Sequence, residues 1–196
     1  MIHAVLIFNT SGVSRLIKFY TTPQKSPQLL VEKIFSLVSS RSQALCNFLD
    51  APELDSFLNH PSMAGERLQI IYRNYATLYF VFVVDSSESE LGILDLIQVF
   101  VESLDRAFEN VCELDLVFNF DEAHHILSEV VQGGVVLETS VDEIQTAIEQ
   151  ASQARQKSFS SSNPLALGSG NKISRNAVIQ TPLGWLAGRF GATGLR

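Results

Sequence analysis

Between residues 67 and 119 the chain reads RLQIIYRNYATLYFVFVVDSSESELGILDLIQVFVESLDRAFENVCELDLVFN. Two near-continuous apolar segments meet back to back, and a long apolar stripe at helical spacing follows. Residues 68–73 and 78–85 are rich in β-branched and aromatic side chains. The short link Asn74-Tyr75-Ala76-Thr77 leaves them no option but an antiparallel pair. Val81, Phe82, Val83 and Val84 are apolar on both faces of the strand, so a layer must cover each side and the strand is central to its sheet. Ser87 and Glu90 have the spacing of a capping box. Behind them Ile93, Ile97, Phe100, Leu104 and Phe108 recur at i+3 and i+4 steps, with Leu94 and Val101 widening the stripe. That predicts a helix of about 20 residues whose apolar face exceeds what one sheet face needs. The stretch carries no phosphate loop and no nucleophile–base spacing. So much ordered apolar surface without chemistry points to a protein that acts by offering a surface.

The rest of the chain extends the pattern. Residues 2–8 are almost wholly apolar, Asn9-Thr-Ser-Gly12 supplies turn residues, and residues 15–20 return as a second strand, making an N-terminal hairpin. Ser26-Pro27 is a helix start, and Leu30, Ile34, Leu37 and Val38 carry a first helix to about Ser40. Residues 46–49 form a short candidate strand. Residues 50–66, with two prolines and Gly65, are expected to be a mobile inserted surface loop, with room for one helical turn over 52–58. Residues 115–132 predict a helix stopped by Gly133-Gly134, and residues 140–154 a last one, with Ser140 and Glu143 as a second capping box. The order β-β-α-β-β-β-α-α-α is an α+β arrangement, an antiparallel sheet covered by helices.

Charge is segregated. All 21 acidic residues lie in residues 1–154 with 8 basic ones, whereas residues 155–196 hold 6 basic residues and no acid. A domain so acidic does not bind nucleic acid through its general field. Residues 155–196 are Ser/Gly-rich and predict a basic, disordered tail. Its charge suits either contact with anionic lipid or an acidic partner, or simple solvation. Trp185 and Phe190 either dock locally or stay exposed. No apolar run reaches the roughly 20 residues of a membrane span, and the N-terminus lacks the basic region and cleavage site of a signal peptide. Cys46 and Cys112 have no C-x-x-C spacing and predict two reduced, buried thiols in a cytosolic protein.

Candidates for chemistry fail on spacing. His124 and His125 are adjacent, so on a helix they point about 100° apart and do not chelate one ion. The carboxylates Glu88, Glu90, Asp95, Glu102, Asp105, Glu109, Glu113 and Asp115 lie along one helix and its exit and read as a solvated face rather than a catalytic pair. No catalytic, cofactor-binding or metal residue is expected, and no cofactor.

Three segments, MIHAVLIFNTSGVSRLIKFY, IIYRNYATLYFVFVVD and FVESLDRAFENVCELDLVFNF, together resemble the sigma, or small, subunits of clathrin-adaptor-type AP complexes. The carriers are Gly12-Val-Ser-Arg15 at the hairpin turn, the tyrosine-rich strand pair 72–80, and Asn-Val-Cys-Glu-Leu-Asp-Leu-Val-Phe over 110–118. The run 85–98 and Gly133-Gly134 are most similar to the small subunits of adaptor complex 3. The resemblance covers residues 1–150. It implies a longin-like fold, a five-stranded antiparallel sheet flanked by helices, over residues 1–154. It implies a heterotetramer in which this chain contacts a large delta-type subunit directly, alongside beta- and mu-type subunits, with part of the wide helix stripe buried in that contact. Membrane contact is then indirect, on the cytosolic face of Golgi, endosomal and transport-vesicle membranes. It also implies a share in binding acidic dileucine signals, [DE]-x-x-x-L-[LI], in cargo cytosolic tails. Ala76, Leu78, Val101, Val111 and Leu116 would line the leucine pocket, with Asn110 as polar neighbour and Arg15 meeting the acidic residue. Val13 stands where many members have lysine. The alternatives are the small subunit of another adaptor or coat complex with a longin-like fold and, from a different class, a small-molecule sensor or enzyme on an α/β scaffold.

Overall fold

Strands buried on both faces build residues 1–153 in layers. The structure, a computed structural model, describes residues 1–42, 45–58 and 67–162, with side chains as far as Arg155. The chain divides into Met1–Gln153 and Ala154–Arg196. In the first unit β1 (Ile2–Asn9) and β2 (Ser14–Phe19) form the N-terminal hairpin, and α1 spans Pro27–Ser39. β3 (Phe48–Asp50), a 3-10 turn (Pro52–Ser56), β4 (Leu68–Tyr75) and β5 (Leu78–Asp85) follow. Then come α2 (Glu90–Phe108), α3 (Glu113–Phe118), α4 (Phe120–Val130), the two-residue strands β6 (Val131–Gln132) and β7 (Val135–Val136), and α5 (Val141–Ser162). The main sheet has the order β2-β1-β5-β4-β3, with antiparallel pairings throughout. β5 is central, as its two apolar faces require.

Side chains two apart share a face. From β1, Ala4, Leu6 and Phe8 enter one core with Ile70, Tyr72, Val81 and Val83; α1 seals it with Leu30, Val31, Ile34 and Val38. Ile2, Val5 and Ile7 enter the other core with Ile71, Leu78, Phe80, Phe82 and Val84. There α2 brings Ile93, Ile97, Phe100 and Leu104, α3 brings Leu116, α4 brings Ala123, Ile126 and Leu127, and α5 brings Ile144 and Ile148. Phe80 meets Phe100 edge-to-face at 6.1 Å, a pairing worth about 0.5–1.5 kcal/mol beyond burial. At the hairpin turn Gly12 has φ +82, and a Cβ there would come within 2.8 Å of the Phe35 ring. Only glycine satisfies both constraints.

Several expectations are corrected. Residues 51–58 are not a surface excursion: Ala51, Leu54 and Leu58 are buried, and Leu58 bridges to Pro23. The remaining loop residues, 59–66, lie outside the described residues. The Ser87 hydroxyl binds the Asp85 carboxylate instead of capping α2; Ser89 is the N-cap and accepts the Gly92 N–H at 3.3 Å. The single helix expected over 115–132 is two helices, broken at Asn119, followed by a hairpin. Gly133 and Gly134, with φ +61 and +81, make that hairpin's turn. A Cβ on Gly134 would lie 2.4 Å from the Ile2 carbonyl oxygen. Helix α5 continues to Ser162, past the expected tail boundary at 155. Residues 163–196, including Trp185 and Phe190, lie outside the described residues. Cys46 and Cys112 are exposed rather than buried.

Candidate functional site

The turn at Asn9 organises one end of the sheet. Its side-chain Oδ1 accepts the backbone N–H groups of Ser11 (3.0 Å) and Val13 (2.9 Å), an Asx arrangement that fixes the amide. The Nδ2 group is thereby aimed at α3 and donates to Glu113 Oε1 at 3.0 Å. Arg15, two residues past the turn, donates to the same oxygen from Nε (2.8 Å) and Nη2 (2.6 Å). Arg15 first, and Asn9 with it, hold the Glu113 carboxyl below the usual range for glutamate. The side chains of Arg15 and Glu113 keep 24% and 28% of their surface exposed, so the pair faces solvent. The neighbouring turn is tied in: the Thr10 N–H donates to the Thr77 carbonyl at 3.2 Å, and Asn9 lies opposite Leu78 in register.

Most of the expected site residues gather at this end. Ala76 is exposed on the two-residue β4–β5 turn with φ +52. Leu78 opens β5 at 6% exposure, Leu116 is at 0%, and both belong to the core under α2. Val101 and Val111 pack, half-buried, against that same core. The link from α2 to α3 holds Glu109 and Asn110 at φ +51 and +80. Two successive left-handed residues without glycine are strained, costing about 1–2 kcal/mol each. Asp105 keeps them there: its carbonyl accepts the Glu109 and Asn110 N–H groups, and its Oδ1 accepts that of Val111 at 3.0 Å. Asn110 itself is exposed. Leu78 and Leu116 are thus enclosed in the core, Val101 and Val111 are half-buried beside it, and Ala76 and Asn110 are exposed. Arg15, expected to await an acidic ligand, is already paired within the chain. Glu113, expected on a solvated face, instead takes Arg15 and Asn9 as partners. No local signal marks it, because its partners lie 98 and 104 positions away.

Exposed apolar surface sits beside this end. Leu114, Val117, Phe118 and Phe120 on α3 and α4 are exposed, Phe118 at 77%, as are Val135, Val136 and Leu137 near β7. On α2 the widening residues Leu94 and Val101 pack against the core instead, and Leu91 is that helix's exposed large apolar residue. The surplus apolar area expected on α2 thus lies on α3, α4 and β7.

Among the described residues no group of three His, Cys, Asp or Glu side chains could hold a metal ion, and no helix is long and apolar enough to cross a membrane. His124 stands edge-on to the Phe120 ring, and burial, then Lys18, push its pKa below the ordinary histidine value.

The family described as clathrin adaptor complex small chain matches residues 1–155. The chain is 55% identical over 150 residues to the AP-3 complex subunit sigma-2 of Homo sapiens, covering 76% of this chain and 74% of that one. It is 58% identical over 145 residues to the AP-3 complex subunit sigma of Schizosaccharomyces pombe, covering 74% and 82%. To that of Saccharomyces cerevisiae it is 49% identical over 165 residues, covering 82% and 85%. A chain in a homology model of the full-length AP-3 complex in a stretched open conformation superposes with a TM-score of 0.59 at 46% identity, covering 82% of this chain and 99% of that one. These relatives are subunits of trafficking adaptors and not enzymes. The chain belongs to the clathrin adaptor complex small chain family, of the AP-3 sigma type.

Proposed function

We propose that the chain serves as the sigma subunit of an AP-3-type heterotetramer in vesicle-mediated protein transport, and that it helps to bind acidic dileucine signals. In this reading it contacts the large delta-type chain directly, with beta- and mu-type subunits completing the complex. The complex works on the cytosolic face of Golgi, endosomal and vesicle membranes, sorting cargo toward the lysosome or vacuole. The exposed side chains of Leu114, Val117, Phe118 and Phe120 support a core-like subunit contact, since apolar patches of this kind on a single chain mark partner surfaces.

The observation that carries the signal-binding reading is the convergence, at one end of the sheet, of a partly exposed guanidinium with Ala76, Leu78, Val111 and Leu116. An extended peptide crossing that end would set its acidic residue by Arg15 and its two leucines between the walls. Each leucine contributes about 1.5–3 kcal/mol on burial before ordering costs. Parting the buried Leu78 and Leu116 to admit them takes part of that, leaving a weak, reversible contact suited to cargo capture. In the assembled complex, Ala76→Trp fills the turn from outside and Val111→Asp charges the wall. Both should weaken binding of a labelled dileucine peptide at least tenfold while size-exclusion chromatography shows the tetramer intact. Unchanged affinity in both variants would remove the pocket assignment.

A further inference from the structure

The Arg15–Glu113 pair has a consequence for selectivity. We propose that Glu113 is a specificity-determining residue: an internal carboxylate that occupies Arg15 and must be exchanged for the acidic side chain of an incoming signal, so that it sets how much that acidic residue contributes to binding. The proposal rests on the dileucine reading above.

Three features support it. One oxygen of Glu113 collects three donors, from Arg15 Nε, Arg15 Nη2 and Asn9 Nδ2. Asn9 cannot turn away, because its Oδ1 is committed to the Ser11 and Val13 N–H groups. The turn itself therefore holds Glu113 in the place a ligand anion would take. The pair is about a quarter exposed on each side, and ion pairs in contact with water contribute little net free energy. Exchange of one carboxylate for another is thus open to a peptide, but nearly neutral, since one anion leaves as another arrives. Finally, Glu113 and Leu116 are three residues apart on α3 and lie on the same side of the helix. Releasing Glu113 removes the tie between the hairpin turn and the first turn of α3, the helix that carries the buried Leu116, while the Asp115 cap on the Cys112 N–H stays in place. An acidic side chain at Arg15 and leucines in the pocket are then coupled through a single short element.

Replacing Glu113 with glutamine keeps an acceptor for Asn9 and Arg15 but removes the competing charge, leaving the guanidinium uncompensated. The test uses the assembled complex with the full chain and three labelled peptides, D-x-x-x-L-L, A-x-x-x-L-L and D-x-x-x-A-A. The readout is acid preference, the ratio of Kd for the second peptide to Kd for the first. Glu113→Gln should raise this preference at least threefold over wild type, and adding Arg15→Gln should abolish the rise. A purely structural role for the pair would lower all affinities together and leave the ratio unmoved. Glu113→Ala carries the same expectation if the glutamine variant assembles poorly. Leucine-dependent binding with an unchanged acid preference would overturn the Glu113 proposal alone. If wild type binds D-x-x-x-L-L no better than D-x-x-x-A-A, the dileucine reading falls and this proposal with it.

Discussion

The two faces of the sheet are equally apolar within and unlike without. β1 gives Ala4, Leu6 and Phe8 to one and Ile2, Val5 and Ile7 to the other. On the first face α1 and the 3-10 turn pack on the core, and among the described residues nearby Val13, Leu29 and Leu45 are the exposed large apolar ones. On the second face four helices are spent, and their outer side still shows Leu91, Leu114, Val117, Phe118 and Phe120 to solvent. Sealing a five-stranded sheet does not take four helices. The helices of the second face carry more of the exposed apolar side chains, and that is the face proposed to meet a partner subunit.

If that contrast is right, the cores beneath should be equally indispensable. Phe100→Ala on the second face should cost about 3–5 kcal/mol and Ile34→Ala on the first about 2–5 kcal/mol, read as the shift in urea unfolding. A cost below about 1 kcal/mol for Ile34→Ala would show that α1 is a loose cover rather than a wall. The outer surfaces should respond oppositely. Phe118→Asp should change unfolding of this chain by no more than about 0.5 kcal/mol, yet weaken co-purification with a large subunit by about tenfold or more. Equal assembly by the variant would place the partner elsewhere. The smallest effect belongs to the rim between the faces. Because the folded-state pKa of Glu113 is depressed by Arg15 and Asn9, its contribution to stability is complete above the ordinary glutamate pKa and is lost as pH falls through the depressed one. The melting-temperature difference between wild type and Glu113→Gln should therefore hold at neutral pH and vanish in acid. A difference independent of pH would deny the ion pair its charge.

Which features could be read in advance follows from their range along the chain. Strands β1, β2, β4 and β5 and helices α1 and α2 declare themselves within windows of 6 to 20 residues, by alternation or by helical spacing. The break at Asn119 does not, because the apolar residues on either side of it continue a plausible helical stripe across 115–132. Val131-Gln-Gly-Gly-Val-Val136 did carry a hairpin signal in its β-branched ends, but a glycine pair after an apolar run reads equally as a helix stop. Leu54 and Leu58 are buried through contacts of the turn with the sheet and Pro23, which composition cannot foresee. Within the candidate site, the resemblance supplied Arg15, Ala76, Leu78, Val101, Asn110, Val111 and Leu116. Glu113 is not legible there, since only the fold brings it to Asn9 and Arg15.

The strand order bears on how the chain is made. β1 is synthesised first and can pair at once with β2, yet its other neighbour is β5, the last strand of the main sheet to be translated. Until then the newborn hairpin carries a bare edge, apolar on both faces, the kind of template to which stray strands add. Long-range pairings of this sort close slowly, and chains waiting on them are prone to aggregate. The central place of β5 thus makes the N-terminal hairpin a dependent of a segment that does not yet exist when it leaves the ribosome.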